Sequence, residues 1–305
     1  RSLQKAGEPH MAGITEIRSR MRSIEQTLKI TNAMYLISSS KVKKARKQLS
    51  EVQPYFEQIA KTLLDIFRHS PELRHRFVDG HESVKEKKAG FVVITGDKGL
   101  AGAYNHNVLK LAESYMARKK DPTLFLIGQM GRHYFMKKDI RIDAEFMYTA
   151  QDPTIERSRE IISTLVSLYD SENLDEIYLI YTRSVSSAQM EPEIIKLLPL
   201  DRAMLSAMRG MREEGKYREV LRYEPTVESV MEVLVPGLLK GYLFGALVES
   251  FCSEQNARMT AMDSASDSAR DMLKKLSLEF NRARQGAITQ EITEIAGGAA
   301  SLLDS

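Results

Sequence analysis

Apolar residues recur at alternating steps of three and four along the first part of the chain. The series is Ile14, Ile17, Met21, Ile24, Leu28, Thr31, Tyr35, Ser38, Val42, Ala45, Leu49, Val52, Phe56, Ile59, Leu63 and Ile66. Only Thr31 and Ser38 break it. A mean spacing of 3.5 held this long predicts one helix of a left-handed coiled coil. Pro54 should bend that helix or remove one backbone bond, and His69-Ser70-Pro71 should stop it. The C-terminal part repeats the pattern through Val227, Met231, Leu234, Leu238, Gly241, Gly245, Val248, Cys252, Gln255, Met259, Met262, Ser266, Ala269, Leu273, Leu276, Phe280, Ala283 and Ala287. Beyond Ala287 the stripe shifts by one residue to Ile288, Ile292, Ile295 and Ala299. Pro225 stands near the expected start and Pro236 marks an expected kink.

At the rise of an α-helix the first segment is about 85 Å long and the second about 120 Å, more than a domain of this mass spans. The two helices therefore project. They share one period, and the order helix, middle domain, helix predicts an antiparallel pair. The longer C-terminal helix leaves one apolar, small-residue end without a partner inside the chain. Such an end calls for a sleeve supplied by another molecule. By periodicity alone, a coiled-coil spacer or dimeriser accounts for the pattern equally well.

The middle of the chain changes period. Residues 89–95, 123–127 and 175–181 read as buried strands, and 193–200 as an edge strand with Pro199 near its end. Helical segments near 103–119, 128–138 and 154–171 alternate with them. Alternation of this kind predicts a small Rossmann-like α/β domain with a largely parallel sheet. The expected organisation is then an extension or expression-vector remnant over 1–10, a coiled-coil helix over 11–70, a polar connector over 71–88 and the α/β domain over 89–200. A second connector over 201–224, with room for a surface helix, leads to the coiled-coil helix over 225–305. The fold class is α/β: a long antiparallel coiled coil of terminal helices with the α/β domain inserted between them.

Composition narrows the chemistry. Lys+Arg is 44 against Asp+Glu 41, a net charge of +3, which excludes a polyanion binder acting by bulk charge. The one cysteine, Cys252, excludes an internal disulfide and a thiolate zinc cluster. The histidines show no metal-ligand spacing, so no metal is expected. No uncharged apolar run reaches membrane-spanning length. The loop Gly96-Asp-Lys-Gly-Leu-Ala-Gly102 follows the first strand, but its glycines are not in GxGxxG order and no Gly-Lys-Ser/Thr follows. A tight strand-to-helix turn explains it better than a phosphate cradle. No catalytic set emerges from spacing. Residues 12–50 hold nine basic side chains against Glu16 and Glu25. A solvated face, an acidic protein surface and nucleic acid all fit that run, although no aromatics interleave for base stacking.

Several stretches together resemble the gamma subunits of F-type ATP synthases. Ile288-Thr-Gln-Glu291-Ile-Thr-Glu294-Ile-Ala-Gly-Gly298-Ala299 is similar to that family's C-terminal signature. Ile17-Arg-Ser-Arg, Lys29-Ile-Thr-Asn-Ala-Met34, the Thr95–Gly102 loop with Tyr104-Asn105, Arg258-Met-Thr-Ala-Met-Asp263 and Asn281-Arg-Ala-Arg284-Gln285 agree with it in order. The resemblance implies a non-catalytic rotor subunit without cofactors. It implies alpha, beta and epsilon subunits and a membrane ring of c subunits as partners. It implies a place on the cytoplasmic face of a bacterial plasma membrane, without a span of its own and without nucleic acid. Carried over residue by residue, Arg258, Arg284 and Gln285 match positions that hydrogen-bond a loop of beta. Met34 and the basic run Lys41, Lys43 and Lys44 match the region facing beta's acidic lever. Ile288, Thr289, Glu291, Glu294, Gly298 and Ala299 belong to the signature. The readings without that resemblance are a coiled-coil scaffold working with no ATPase ring, and a nucleotide-binding enzyme using the 96–105 loop.

Overall fold

The structure is a computed structural model that describes residues 8–70, 72–81, 84, 86–138, 140–186, 189–200, 224 and 226–303. Helix α1 spans Glu8–His69 and helix α6 spans Val227–Leu303. Between them lie α2 (Arg76–Asp79), β1 (Ala89–Ile94), α3 (Tyr104–Met116), β2 (Thr123–Ile127) and α4 (Gln129–Phe135). Then come β3 (Arg141–Ile142), α5 (Ile155–Asp170), β4 (Glu176–Ser184) and β5 (Met190–Leu198). The chain divides into two compact units, one of residues 1–37 with 259–305 and one of residues 38–258.

In the first unit the terminal helices pair antiparallel. The Thr31 and Ser266 hydroxyls lie 2.7 Å apart, and the Arg18 guanidinium stands 5.3 Å from the centre of the Phe280 ring. Thr31, Ser266 and Phe280 are stripe positions, and Arg18 flanks the stripe beside Ile17. Thr31, Met262, Ser266 and Ala269 are buried, while Ile14, Ile17, Met21, Ile24 and Leu28 are half-buried. Tyr35 departs from the expectation and is exposed, with Met34 half-buried beside it. The pairing fades toward the end of α6. Ile288, Ile292 and Ile295 are 47%, 62% and 73% exposed, and every residue whose burial is described from 291 to 299 faces water.

In the second unit the helix pair packs against the sheet. The strand order is β3-β2-β1-β4-β5, with β4 and β5 antiparallel and the other neighbours parallel. Strand β1 is buried on both faces, as a central parallel strand is expected to be. Its alternation divides the core. Phe91 and Val93 point into a cluster with Val108, Leu109 and Phe135 of α3 and α4. Val92 and Ile94 point into the larger cluster, with Ile161 and Leu165 of α5, Ile59, Leu63 and Ile66 of α1, and Leu238, Leu239 and Leu243 of α6. Each fully buried aliphatic side chain contributes about 1.5–3 kcal/mol. An 18-residue window of α6 reaches a mean hydropathy of 1.5, and half of it is buried inside the chain. That apolarity is core packing, the common origin of such a stretch.

Three details depart from the sequence reading. Helix α1 begins by Glu8, so residues 8–10 are helical rather than an unstructured extension. The segment after α1 is not only a polar connector. Phe77 of α2 is fully buried, and its carbonyl accepts from the Leu200 amide at 2.6 Å. Arg76 pairs with Asp170 and Glu232 at 2.9 and 2.5 Å. Strand β3 has two residues, too short for any periodicity. The expected surface helix in 201–224 falls, apart from Glu224, outside the described residues.

Two constraints yield predictions. Gly128 has φ +93°, and a Cβ there would lie 2.2 Å from the Thr95 carbonyl oxygen. Gly128→Ala is expected to destabilise the chain by about 2–5 kcal/mol in urea unfolding, since it combines a strained backbone with a clash against main chain. An unchanged midpoint would contradict this. The second constraint is electrostatic. Burial pushes the Glu176 carboxyl up, but the Lys119 and Lys196 ammonium groups at 2.5 and 3.0 Å outweigh it and hold it at about 2. A carboxyl depressed in the folded state stabilises above its unfolded pKa, and that stability fades as pH falls through the folded value. Glu176→Gln should therefore flatten the loss of stability between about pH 4.5 and 2. Parallel acid-unfolding curves for the two proteins would count against it.

Candidate partner-binding surfaces

Helix α6 crosses the sheet domain with a row of polar residues one turn apart, at Ser250, Glu254 and Arg258. Ser250 Oγ accepts from the Thr182 amide at 3.1 Å, and Ser253 Oγ donates to the Thr182 carbonyl at 3.3 Å. Arg258 donates to Glu254 at 2.5 Å and to the Gly99 carbonyl at 3.1 Å. The two charged side chains are only 9% and 4% exposed. Burial raises the Glu254 carboxyl and the Asp97 charge adds to that, while Arg258 and then Lys41 of α1 pull it down; the net shift is upward. Burial likewise raises the Tyr104 hydroxyl, with Glu254 reinforcing it.

The glycine-rich loop owes its shape to internal bonds. Asp97 accepts from the Gln129, Ala150 and Gln151 amides at 3.1, 3.0 and 3.1 Å, and from the Thr149 hydroxyl. Asn105 Oδ1 accepts from the Gly96 amide at 2.8 Å. Backbone N–H groups of the kind that would cradle a phosphate thus already converge on a carboxylate of the chain itself. Leu100 (φ +62°) and Gly102 (φ +53°) complete the turn, and the Leu100 side chain stands in solvent.

The residues singled out from the sequence fall into three groups. Lys43 and Lys44 are exposed on α1 and make no ion pair among the described residues, while Lys41 is half-buried near Glu254. Met34 is half-buried among the exposed Ile30, Leu36 and Ile37. On α6, Arg284 and Gln285 are exposed one turn before the signature. Thr289 Oγ1 donates to the Gln285 carbonyl at 2.9 Å, and Glu294 accepts from Gln290 at 3.0 Å. Ile288, Glu291 and Ala299 are exposed, and Gly298 lies within the helix.

Arg258 is placed differently from Arg284: in the isolated chain its guanidinium is buried against Glu254 and the Gly99 carbonyl. Its geometry suits holding the 96–105 loop on α6. The Glu254, Ser250 and Thr182 contacts were not anticipated. Their signal is present as polar residues at helical spacing inside an apolar stretch.

Removing Arg258 leaves a buried carboxylate without its cation. Arg258→Ala is expected to cost about 3–5 kcal/mol of stability. The pair Arg258→Met with Glu254→Gln should recover much of it. Full stability of Arg258→Ala in a thermal melt would return the residue to the surface role first assigned.

Comparison with known proteins agrees with this geometry. A sequence model described as ATP synthase matches residues 13–302. The ATP synthase gamma chain of Acetivibrio thermocellus is 48% identical over 96% of this chain and 100% of its own length. The sodium-ion-specific gamma chain of Acetobacterium woodii is 36% identical over 95% of this chain and 98% of its own. Among solved structures, a mitochondrial ATP synthase of Euglena gracilis, comprising OSCP, F1 and c-ring, contains a chain with TM-score 0.62 at 15% identity, covering 95% of each. A central stalk and c-ring structure from Tetrahymena thermophila gives TM-score 0.56 at 20% identity, covering 78% of this chain and 99% of that one. At those identities the structures establish the fold, and the sequence matches establish the family. With its paired terminal helices, its inserted five-stranded sheet and its full-length sequence relatives, the chain belongs to the gamma-chain family of ATP synthases.

Proposed function

We propose that the chain is the rotor of the central stalk of a bacterial F-type ATP synthase. It turns inside a head of three alpha and three beta subunits. The sheet domain, with the epsilon subunit, grips the c-ring on the cytoplasmic face of the plasma membrane. The catalytic sites lie on the beta subunits, and this chain supplies no catalytic group. The observation that supports this best is the exposed apolar end of α6. Ile288, Ile292 and Ile295 stand in water in the isolated chain. A bearing of apolar partner surface would cover them.

Coupling follows from differential contact. A rotor with unlike faces favours a different beta conformation in each orientation, and only that difference in contact energy can drive the binding changes. Lys43 and Lys44, exposed on α1, face an acidic surface of beta. Arg284 grips a beta carboxylate, which its planar fork can do with two hydrogen bonds, and Gln285 adds a neutral one. Met34 lies in the same contact region. Arg258 acts indirectly by fixing the 96–105 loop.

The test is reconstitution with alpha and beta subunits of the same source, with a visible probe fixed to the sheet domain. Stepwise rotation in one sense during ATP hydrolysis is expected. A stable complex that hydrolyses ATP without rotation would favour a static scaffold instead. In the same complex Arg284→Ala should lower coupled hydrolysis roughly tenfold, the equivalent of one charge-assisted hydrogen bond. Its unfolding midpoint should not move, because the side chain is exposed. Equal loss of stability and coupling would contradict the contact role.

A further inference from the structure

An open cleft of about 290 Å³ lies where the helix pair leaves the sheet, within the unit of residues 38–258. Its apolar walls are Leu49 and Phe56 of α1, Leu238 of α6 and Ile195 of β5, with the Tyr181 and Tyr242 rings beside them. Two glycines one turn apart on α6 shape it. A Cβ on Gly241 would meet Phe56 at 2.4 Å, so that glycine lets the helices approach closely. A Cβ on Gly245 would meet nothing within 4 Å, so its missing side chain opens the cleft.

The charge in this cleft is of one sign. Its lining includes Glu57 and Glu249 and no lysine or arginine. Gln53 donates to Glu57 at 2.8 Å. Glu249 Oε2 is buried and accepts no hydrogen bond among the described residues. From the sheet, Arg183 and Glu193 face Glu249, but the Arg183 guanidinium is already paired with Glu193 at 2.9 Å. Tyr181 likewise turns its hydroxyl to Glu193, at 3.3 Å. On α6 itself Cys252 lies one turn away, and Arg46 of α1 reaches the thiol. The local sum of Arg183, Glu193 and Glu249 is one uncompensated negative charge. Burial raises the Glu249 carboxyl, and Arg183 and the Ser184 backbone reverse this only in part. A partly buried carboxylate with one oxygen left bare beside apolar and aromatic walls costs free energy that a cation can return. Few polar groups set among apolar walls are the usual makeup of a small-molecule site.

We propose that this cleft binds a small hydrophobic ammonium ion, with its hydrocarbon part between Phe56, Leu238 and Tyr242 and its ammonium group on Glu249. The charge balance selects a cation, and the apolar walls select one with a hydrocarbon body. Occupation would brace α1 against α6 at the point where both meet the sheet.

The test uses the full chain and 4-phenylbutylamine, with 4-phenylbutanol as its neutral counterpart, in isothermal titration calorimetry. The amine is expected to bind at least about tenfold more tightly than the alcohol, the effect of one charge-assisted hydrogen bond. Glu249→Gln should abolish that preference. Gly245→Leu, which fills the open space without a clash at Cβ, should abolish binding of both compounds. An alcohol that binds as tightly as the amine would overturn the proposal, as would binding that survives Gly245→Leu. Should Glu249→Gln fail to fold, the pH dependence of the wild-type chain decides. Amine affinity should fall on acidification as Glu249 takes up its proton, while the alcohol stays level. An amine profile as flat as the alcohol's would overturn the carboxylate's role.

Discussion

Each terminal helix presents an apolar stripe to water along its length, and neither can bury that stripe alone. The antiparallel pairing of α1 and α6 answers this constraint, and other features depend on it. Within the unit of residues 38–258 the pair also closes one face of the sheet, so Ile59, Leu63 and Leu239 serve the helix seam and the α/β core together. Within the unit of residues 1–37 and 259–305 the seam is narrower and more polar, with Thr31 and Ser266 sharing a hydrogen bond at its buried centre. Where pairing fades, the stripe of α6 continues as Ile288, Ile292 and Ile295, and there the apolar surface is left for another molecule to cover.

Apolar packing sets the helices together, and polar contacts set the sheet on α6. The Arg258–Glu254 pair with the Gly99 carbonyl, and the serines on Thr182, are directional where the core is not. Buried ions of this kind add little net stability over well-packed apolar residues, yet breaking one partner is costly. Their value lies in position: they fix the 96–105 loop at one place on α6. Asp97 does the same within the loop by gathering amides from the segments after β2 and before α5.

Much of this is legible in the sequence because it is periodic. The 3.5-residue stripe names most of the buried positions of α1, though Tyr35 on it is exposed and Ala60 and Phe67 beside it are buried, and unbroken apolar runs name β1, β2 and β4. What is not periodic is not legible. Strand β3 is two residues long, and α2 depends on a single buried phenylalanine among charges. The unlike roles of Gly241 and Gly245 depend on where Phe56 stands across the seam. Arg258 and Arg284 look alike in sequence, since both sit in family-like stretches of one helix. Only the sheet domain beside the first and the solvent beside the second separate a positioning residue from one free to meet a partner. The cleft at Glu249 gives no sequence signal, because its walls come from α1, β4, β5 and α6.

The central claim is the proposed rotor, whose terminal helices stay paired as it turns. It is tested most directly by locking them together. Thr31→Cys with Ser266→Cys places two thiols where the hydroxyls now lie 2.7 Å apart, in a chain whose one natural cysteine, Cys252, is buried. The account predicts that this pair oxidises readily and that the cross-linked chain, reassembled with alpha and beta subunits, rotates at the speed of the reduced one. Rotation that stops on oxidation and resumes on reduction would mean that the helices slide past each other during the cycle, and would contradict it.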